Sequence, residues 1–304
     1  SLDTKHIIAW VKENNPKAYV EDRYNKGKQP KGDPDCRLGC KRRHNRRASS
    51  ADPPPTPTTE PLPANTVSVG EYYWGYASGL VATKADGWGE FVLAELTQPF
   101  DQPDVSYFFP LMADVERRLG CSPRFGALDA AFDAFYVHEY FHQAGGFAAV
   151  PWADRADHRK QFDEEGRPLC AAGFGMPLKS TFMKKSNCLF PHRCGRYACP
   201  LRYPEVTGQS CPVVHKNWPK GGCVTTLPLS PGTRARHELD RSSQAYKDVY
   251  RQRMATERIN SQAVELGIER PKLRNGRAIA NLNTLIYVLI NLRGLQRIRR
   301  RKAK

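Results

Sequence analysis

The chain has few acidic residues for its size. Its 304 residues contain 31 Asp and Glu against 47 Lys and Arg, a formal net charge of +16. This excess of positive charge favours a polyanionic partner, and nucleic acid is the commonest one for a soluble protein. Basicity that serves solubility alone is the less favoured alternative at this magnitude. With 40% hydrophobic and 26% charged residues, the composition is otherwise that of a folded chain.

Long hydrophobic runs and a secretory segment are also lacking. The best membrane candidate, "LNTLIYVLINL" (282–292), is too short and too interrupted by Asn and Thr to predict a bilayer span. Nine cysteines, an odd number in a large chain, favour free thiols or metal ligands over a disulfide framework. We therefore expect a reducing, cytoplasmic and nucleoid-associated location.

No internal repeat is visible, and the predicted elements alternate between strand and helix. Residues 2–11 ("LDTKHIIAWV") predict a buried strand, and the Asp86-Gly87 pair between the strand-like runs 71–83 and 89–99 predicts a hairpin. Four further elements follow: a helix over 103–120 that Pro110 bends or delays, a strand over 124–129, a helix over 130–145 and a strand over 146–152. This order indicates a mixed α/β fold with antiparallel strands at one edge.

Two stretches interrupt this order. Residues 48–66 are low in complexity and rich in proline, so we expect a disordered or extended loop there. From 160 to 240, Pro, Gly and Cys replace periodic apolar patterning, which indicates an inserted module. The chain is therefore predicted to consist of a first core part (1–159), a cysteine-rich insertion (160–240) and a C-terminal part (241–304).

One predicted helix carries an unusual set of polar side chains. In "YKDVYRQRMATERINSQAVELGI" (246–268), Tyr250, Arg253 and Glu257 are spaced three and four residues apart, which places them on one helical face. Glu257 and Arg253 alone would make an ordinary surface ion pair, an alternative that the spacing leaves open.

Capping signals flank that helix, and a second helix follows it. Ser242 or Ser243 is expected to cap the start, and Gly267 to end it. The last helix is predicted to be amphipathic, with an apolar face of Leu282, Leu285, Ile286, Leu289 and Leu292.

Three acidic residues occupy positions that suit one purpose. Asp3 lies on the first strand, Asp129 ends the strand "GALD", and Glu257 is in mid-helix. Two strand carboxylates and one helix carboxylate can hold a pair of Mg²⁺ or Mn²⁺ ions about 4 Å apart for phosphodiester chemistry. Asp133 is the rival for the second position, but we expect it to be an exposed helix residue or a helix-dipole partner.

The segments around these acids carry a resemblance. From "LDTKHI" through "GALDAAFDAFY" to "YRQRMATERINSQA", and in the tail from "ELGIERPKLRNGRAIANLNTLIYVL" onward, the chain resembles DDE-type transposases of bacterial insertion sequences. These belong to the RNase H-like (retroviral integrase) superfamily. The resemblance implies a mixed five-stranded sheet flanked by helices, with the cysteine-rich insertion placed before the last catalytic helix.

The resemblance also implies roles. Asp3, Asp129 and Glu257 would bind two Mg²⁺ or Mn²⁺ ions, and Tyr250 and Arg253 would contact DNA phosphate or orient Glu257. The implied activity is DNA recombination: endonuclease cleavage at transposon ends, then transfer of the 3′-hydroxyl into target DNA. The implied partners are both DNAs and further copies of the chain.

The sequence departs from the family pattern at two points. Val264 stands where the signature usually has a Lys, and Arg258 or Gln262 is the candidate substitute. The usual DNA-binding region has no counterpart before Asp3, so we expect a catalytic domain or a chain truncated upstream. Two alternatives stay open: a non-catalytic DNA- or zinc-binding relative, and a plain RNase H-like nuclease.

The insertion concentrates the candidate zinc ligands. Clustered Cys and His can close a tetrahedral zinc site that orders a segment without its own core. Tight C-x2-C pairs are missing, so buried or surface thiols are the alternative. The candidate ligands are Cys170, Cys188, Cys194, Cys199, Cys211, Cys223, His192 and His215.

Two basic runs complete the pattern. "CKRRHNRR" (40–47) and "RIRRRKAK" (297–304) are ordinarily solvated charge runs, but on a chain of this charge we expect at least one to contact phosphate.

Overall fold

The computed structural model describes residues 1–42, 70–85, 87–153, 159–213 and 216–303. The predicted proline-rich loop and His215 lie outside the described residues. The chain divides into two compact units: the first comprises Ser1–Gly120 and Gln252–Lys304, and the second comprises Cys121–Arg251. These bounds follow packing, whereas the predicted segments 1–159, 160–240 and 241–304 follow composition, and that division stays a prediction.

The described strands and helices follow the chain in a mixed order. The strands are β1 Leu2–Ile8, β2 Arg37–Arg42, β3 Gly70–Ala85, β4 Gly89–Pro99, β5 Phe125–Ala127, β6 Phe147–Ala149, β7 Leu178–Lys184, β8 His192–Ala198 and β9 Val224–Pro228. The helices are α1 Phe108–Leu119, α2 Phe135–Gln143, α3 Pro231–Glu238, α4 Gln244–Arg251, α5 Met254–Glu265 and α6 Gly276–Lys302.

The first unit is built on an antiparallel sheet with β3 at its centre. Strand β1 pairs with one edge of β3, and β2 and β4 pair with successive parts of its other edge. The register places Asp3 of β1 opposite Leu80 of β3. The predicted hairpin of β3 and β4 is confirmed, and Gly87 in its turn adopts a φ of 75°, a value that glycine tolerates without steric cost.

The local helix signals of the first unit are also confirmed. Pro110 falls in the first turn of α1, where its missing N–H has no intrahelical acceptor, so it delays the start rather than bending the helix. Gly120 ends α1 in the left-handed conformation with a φ of 70°.

The core of the first unit lies between the sheet, α5 and α6. Ile7, Trp74 and Leu80 of the sheet are fully buried and belong to one hydrophobic cluster with Ile259 of α5 and Ile290 of α6. Burying such side chains stabilises the fold by about 1.5–3 kcal/mol each.

The predicted apolar face of α6 is largely wrong. Ile286 is buried, but Leu285 is 66%, Leu289 is 40% and Leu292 is 55% exposed. The helix instead buries Ile279, Ile286, Tyr287 and Ile290. Because α6 is apolar on more than one face, helical spacing alone does not select the face that meets the sheet.

The 282–292 segment, expected to be too short for a membrane span, belongs to a longer helix, and the absence of a span stays a prediction. It lies within the 27 residues of α6, where an 18-residue window reaches a mean hydropathy of 1.3. By length and composition this helix is able to cross a membrane, a test that core helices of soluble proteins also pass.

The second unit begins with a short parallel pair. Strands β5 and β6 are parallel and are joined through α2, as the predicted strand–helix–strand order requires. The cysteine-rich stretch then forms an antiparallel sheet in the order β7-β8-β9, followed by α3 and α4.

The mixed α/β class is confirmed. The described strands form three sheets of four, two and three strands. The five-stranded RNase H-like sheet is not confirmed by this pairing and stays a prediction.

Candidate functional site

The predicted helix over 246–268 is two helices. Helix α4 ends at Arg251 and α5 begins at Met254, so the single helical face proposed for Tyr250, Arg253 and Glu257 is wrong. Gln and Arg are good helix formers, so nothing in the propensity of Gln252 and Arg253 signals the break.

The signals at the outer ends of this helix pair are confirmed. The Ser243 hydroxyl accepts from the backbone N–H of Tyr246 at 3.2 Å, and Gly267 follows α5 with a φ of 88°. Tyr250 belongs to the second unit, where its ring stacks on Tyr246 with centroids 5.8 Å apart.

Glu257 lies in the first turn of α5 and is half exposed. Its Oε1 is 2.5 Å from a terminal nitrogen of Arg253, the i,i+4 ion pair that the spacing predicts. On the same helix, Arg258 contacts Glu90 of β4 through Nε at 2.8 Å and a terminal nitrogen at 2.6 Å. Both guanidinium groups therefore have carboxylate partners, and a role for either in DNA binding stays a prediction.

Asp3 and α5 meet in the first unit. Asp3 Oδ1 accepts from the backbone N–H of Thr4 at 2.9 Å, and Oδ2 accepts from Asn260 Nδ2 at 3.1 Å. Asn260 follows Glu257 by three residues on α5, so the two lie on one helix face. Strand β1, which carries Asp3, thus contacts helix α5, which carries Glu257.

Asn260 has one oxygen that the described residues leave without a hydrogen-bond partner. The side chain is 9% exposed, and its Oδ1 is buried and unsatisfied within the described part of the chain. A buried acceptor without a donor costs about 1–3 kcal/mol, so it requires an explanation such as a bound ion or water. In the sequence, the spacing of three residues between Glu257 and Asn260 is a usable signal for this site, but Asn260 is absent from the predicted site residues.

Asp129 occupies the predicted strand-to-turn position in the second unit. It follows β5 by two residues and begins a short 3-10 turn over Ala130–Phe132, where its Oδ1 accepts from the backbone N–H of Ala131 at 2.8 Å. Asp3 and Glu257 belong to the first unit. Assembly of the three acids into one site therefore stays a prediction.

The expectation that Asp133 is exposed is wrong, whereas the alternative of a helix-dipole partner stays a prediction, since Asp133 lies two residues before α2. Its side chain is fully buried and forms a bidentate pair with Arg236, whose nitrogens lie 2.7 Å from Oδ1 and 2.6 Å from Oδ2. Ala153 N–H donates to Oδ2 at 3.2 Å, and His138 Nε2 lies 3.3 Å from Oδ1. A terminal nitrogen of Arg241 lies 3.7 Å from Oδ1.

The electrostatics of this cluster keep Asp133 ionised. Burial alone would raise the pKa of Asp133, but hydrogen bonds from His138 and Arg236 and the charge of Arg236 hold the pKa well below its usual range. Burial lowers the pKa of His138, so its ring is neutral at pH 7. The protein itself saturates this carboxylate, which is typical of a structural acid.

The described candidate zinc ligands include two sets of neighbours. His192 and Cys194 are on β8, and Cys188 lies in the turn that precedes it. A second group lies elsewhere in the unit: burial and the neighbouring thiols of Cys199 and Cys170 raise the pKa of Cys223 to about 12.

The described residues leave metal binding open at both predicted centres. Within the described ranges, no group of three or more His, Cys, Asp or Glu side chains is arranged to hold a metal ion. His215 lies outside those ranges, and Asn260 Oδ1 is an amide oxygen, which does not belong to these side-chain types. The zinc site and the Mg²⁺ or Mn²⁺ site stay predictions.

The basic runs differ in how far they are described. Most of the 40–47 run lies outside the described residues, whereas the C-terminal run forms the end of α6. There Arg299, Arg300, Arg301 and Lys302 are all exposed.

Comparison with known proteins adds no relative. No family model, no curated protein and no solved structure matches the chain.

Proposed function

We propose that this protein is a DNA transposase that cleaves phosphodiester bonds at transposon ends and transfers the 3′-hydroxyl into target DNA. Asp3, Asp129 and Glu257 are its proposed metal-binding acids, and an RNase H-like core is part of the same proposal. The observation that carries it is the contact between Asp3 and Asn260, because it joins the first acid to the helix of the third.

The oxygen atoms at this contact suit a hard divalent cation. Asp3 supplies a carboxylate and Asn260 a buried amide oxygen that lacks a donor among the described residues, while Glu257 lies one turn away on α5. Mg²⁺ and Mn²⁺ prefer such oxygen ligands to nitrogen or sulfur. When bound, the ions would activate a water or hydroxyl and neutralise charge at the phosphorus.

The residues of the chain would position both reaction steps. In the first, the oxygen of water bonds to phosphorus and the P–O3′ bond breaks, which leaves a 3′-hydroxyl and a 5′-phosphate. In the second, that 3′-hydroxyl attacks a target phosphodiester and displaces its 3′-oxygen. Both are in-line displacements, so orientation and charge neutralisation supply most of the catalysis without a covalent protein nucleophile.

The charge of the chain supports a DNA substrate. The formal net charge is +16, and the exposed cations at the end of α6 form one of its basic surfaces. Such a surface neutralises phosphates without reading sequence, so binding is expected to weaken steeply with salt.

One observation favours the non-catalytic alternative. Glu257 pairs with Arg253 at 2.5 Å, and an exposed i,i+4 pair of this kind requires no function. A DNA- or zinc-binding relative without activity would retain this pair, whereas a transposase requires Glu257 to exchange it for a metal ion.

Plasmid cleavage separates these functions. With Mg²⁺ or Mn²⁺ present, we expect nicking of a supercoiled plasmid that carries the DNA flanking the coding sequence. Asp3→Asn and Glu257→Gln are each expected to lower the nicking rate at least about 100-fold, because each removes a carboxylate ligand from the transition state. Glu265→Gln is the matched control, since Glu265 is exposed at the far end of the same helix.

Strand joining completes the test. Covalent insertion of a labelled oligonucleotide with a 3′-hydroxyl into the plasmid supports a transposase, and cutting without joining supports a plain nuclease. DNA binding with metal-dependent nicking that Glu257→Gln leaves unchanged would contradict the catalytic assignment.

A further inference from the structure

An exposed tryptophan lies where the chain leaves the sheet of the first unit. Trp10 follows β1 by two residues, and its side chain is 51% exposed. It lies in an open concavity with residues 8–12 and 14–16 on one side and Arg270, Pro271 and Arg274 on the other. None of these residues belongs to the proposed metal site.

The backbone around Trp10 is held in place by hydrogen bonds. Asn14 Nδ2 donates to the carbonyls of Ala9 and Trp74 at 2.7 and 2.8 Å, and its Oδ1 accepts from the Trp74 N–H at 2.9 Å. Ile8 N–H donates to the carbonyl of Glu269 at 2.8 Å, which ties the two sides together. The concavity is therefore formed before any ligand arrives, which lowers the entropic cost of binding.

The charge of this concavity has one sign. Lys12, Arg270 and Arg274 are exposed, and in the described structure its lining contains no carboxylate. Two acids are adjacent in sequence: Glu269 is paired with Lys5 at 2.6 Å, and Glu13, between Lys12 and Asn14, is not part of the lining. The guanidinium carbon of Arg274 lies 5.0 Å from the centroid of the Trp10 ring, a cation–π contact.

We propose that this concavity binds a nucleotide of single-stranded nucleic acid, with the base stacked on Trp10 and flanking phosphates at Lys12, Arg270 and Arg274. A flat indole supplies the face on which any base stacks, and the cations follow the backbone. An acidic peptide or an anionic lipid would use the charges but would gain little from the ring.

Trp10 lies on the extension of the strand that carries Asp3 of the proposed metal site. Trp10 is seven residues beyond Asp3 along β1 and its extension, a distance on the order of 20 Å for extended chain. The proposal takes nucleic acid as its ligand from the proposed function but does not depend on cleavage. Failure of the oligonucleotide-binding prediction and failure of the nicking prediction are therefore distinguishable.

Binding of short oligonucleotides tests the proposal. With a fluorescent eight-nucleotide oligothymidylate at about 0.15 M salt, Trp10→Ala is expected to weaken binding about 5- to 100-fold, and Trp10→Phe to retain most of the affinity. An abasic oligomer of the same length should bind the parent and Trp10→Ala equally. Arg274→Ala should lower the slope of log K against log[salt] by about 0.7.

Trp88→Ala is the matched control. Trp88 is 44% exposed, and Lys302 Nζ lies 4.7 Å from its ring centroid, but Trp88 is not part of the concavity. Its substitution should leave oligothymidylate binding unchanged. The proposal is overturned if Trp10→Ala binds oligothymidylate like the parent. It is also overturned if Trp10→Ala weakens binding of the abasic oligomer as much as that of oligothymidylate, or if Trp88→Ala weakens oligothymidylate binding as much as Trp10→Ala does. The proposal would also be overturned if polyglutamate, at equal concentration of negative charge, displaced the labelled oligothymidylate as well as unlabelled oligothymidylate does.

Discussion

Two carboxylates, Asp133 in the second unit and Asp3 in the first, differ in the groups that surround them. In the second unit, Asp133 receives a bidentate Arg236, a backbone N–H and the ring of His138. In the first unit, Asp3 accepts from Asn260, whose own Oδ1 has no donor among the described residues. Saturation by the protein is typical of a structural acid, whereas a buried unsatisfied oxygen beside a carboxylate requires an explanation such as a bound ion or water.

The largest expected effect concerns stability at Asp133. Asp133→Ala leaves Arg236 and Arg241, with side chains 19% and 13% exposed, without their carboxylate, so we expect a loss of about 3–5 kcal/mol in the free energy of unfolding. Asp3→Asn should cost only about 0.5–1.5 kcal/mol, because the new amide oxygen can still accept from the Thr4 N–H and its NH2 group can donate to Asn260 Oδ1 once that side chain flips. Urea unfolding of the two variants measures the difference, and similar losses would contradict the contrast.

The next largest expected effect is the loss at low pH of the stability that Asp133 contributes. Because its pKa is lower in the folded chain than in the unfolded chain, its contribution to stability is complete above the unfolded value of about 3.9. That contribution is lost as the pH falls from there toward the depressed folded pKa. Urea midpoints of the parent should therefore fall more steeply below pH 4 than those of Asp133→Asn, and parallel curves would contradict the prediction.

Binding of Mn²⁺ at Asp3 is expected to stabilise the folded protein. At tenfold excess of Mn²⁺ over the dissociation constant, we expect the parent to gain about 1.4 kcal/mol, because the ion binds the folded state alone. Asp3→Asn should lose this gain, and Glu265→Gln should keep it. Thermal melts with Mn²⁺ or chelator provide the measurement, and an equal shift in Asp3→Asn would place the ion elsewhere.

The smallest expected effect is at Glu257. Its side chain is 49% exposed and its partner Arg253 is four residues away, so Glu257→Gln should change stability by no more than about 0.5 kcal/mol. A loss of nicking in a variant this stable would then reflect chemistry rather than unfolding. A destabilisation above about 2 kcal/mol in urea would show that Glu257 is structural.

Elements with strong local signals were predicted from the sequence. The hairpin of β3 and β4 has turn residues between two strand-like runs, and α1 has Gly120 at its end. The strand–helix–strand order around Asp129 is likewise local, because each element has its own periodicity. Such features depend on neighbours along the chain, so they are legible without tertiary structure.

Features that depend on distant partners were missed. The break between α4 and α5 falls between good helix formers, and the compact units divide at the same point. Asp133 has the sequence context of a helix start, yet its partner Arg236 is 103 residues away. The contact between Asn260 and Asp3 depends on the packing of α5 beside β1, two elements at opposite ends of the chain.

By itself, the sequence determined the charge, the mixed α/β class and the positions of Asp3 and Asp129 relative to their strands, because composition and short-range periodicity carry that information. Only the tertiary structure decided which face of α6 is buried, which acid is saturated and which amide stands beside Asp3. Those outcomes depend on long-range packing and on the desolvation of charges, which no local pattern encodes.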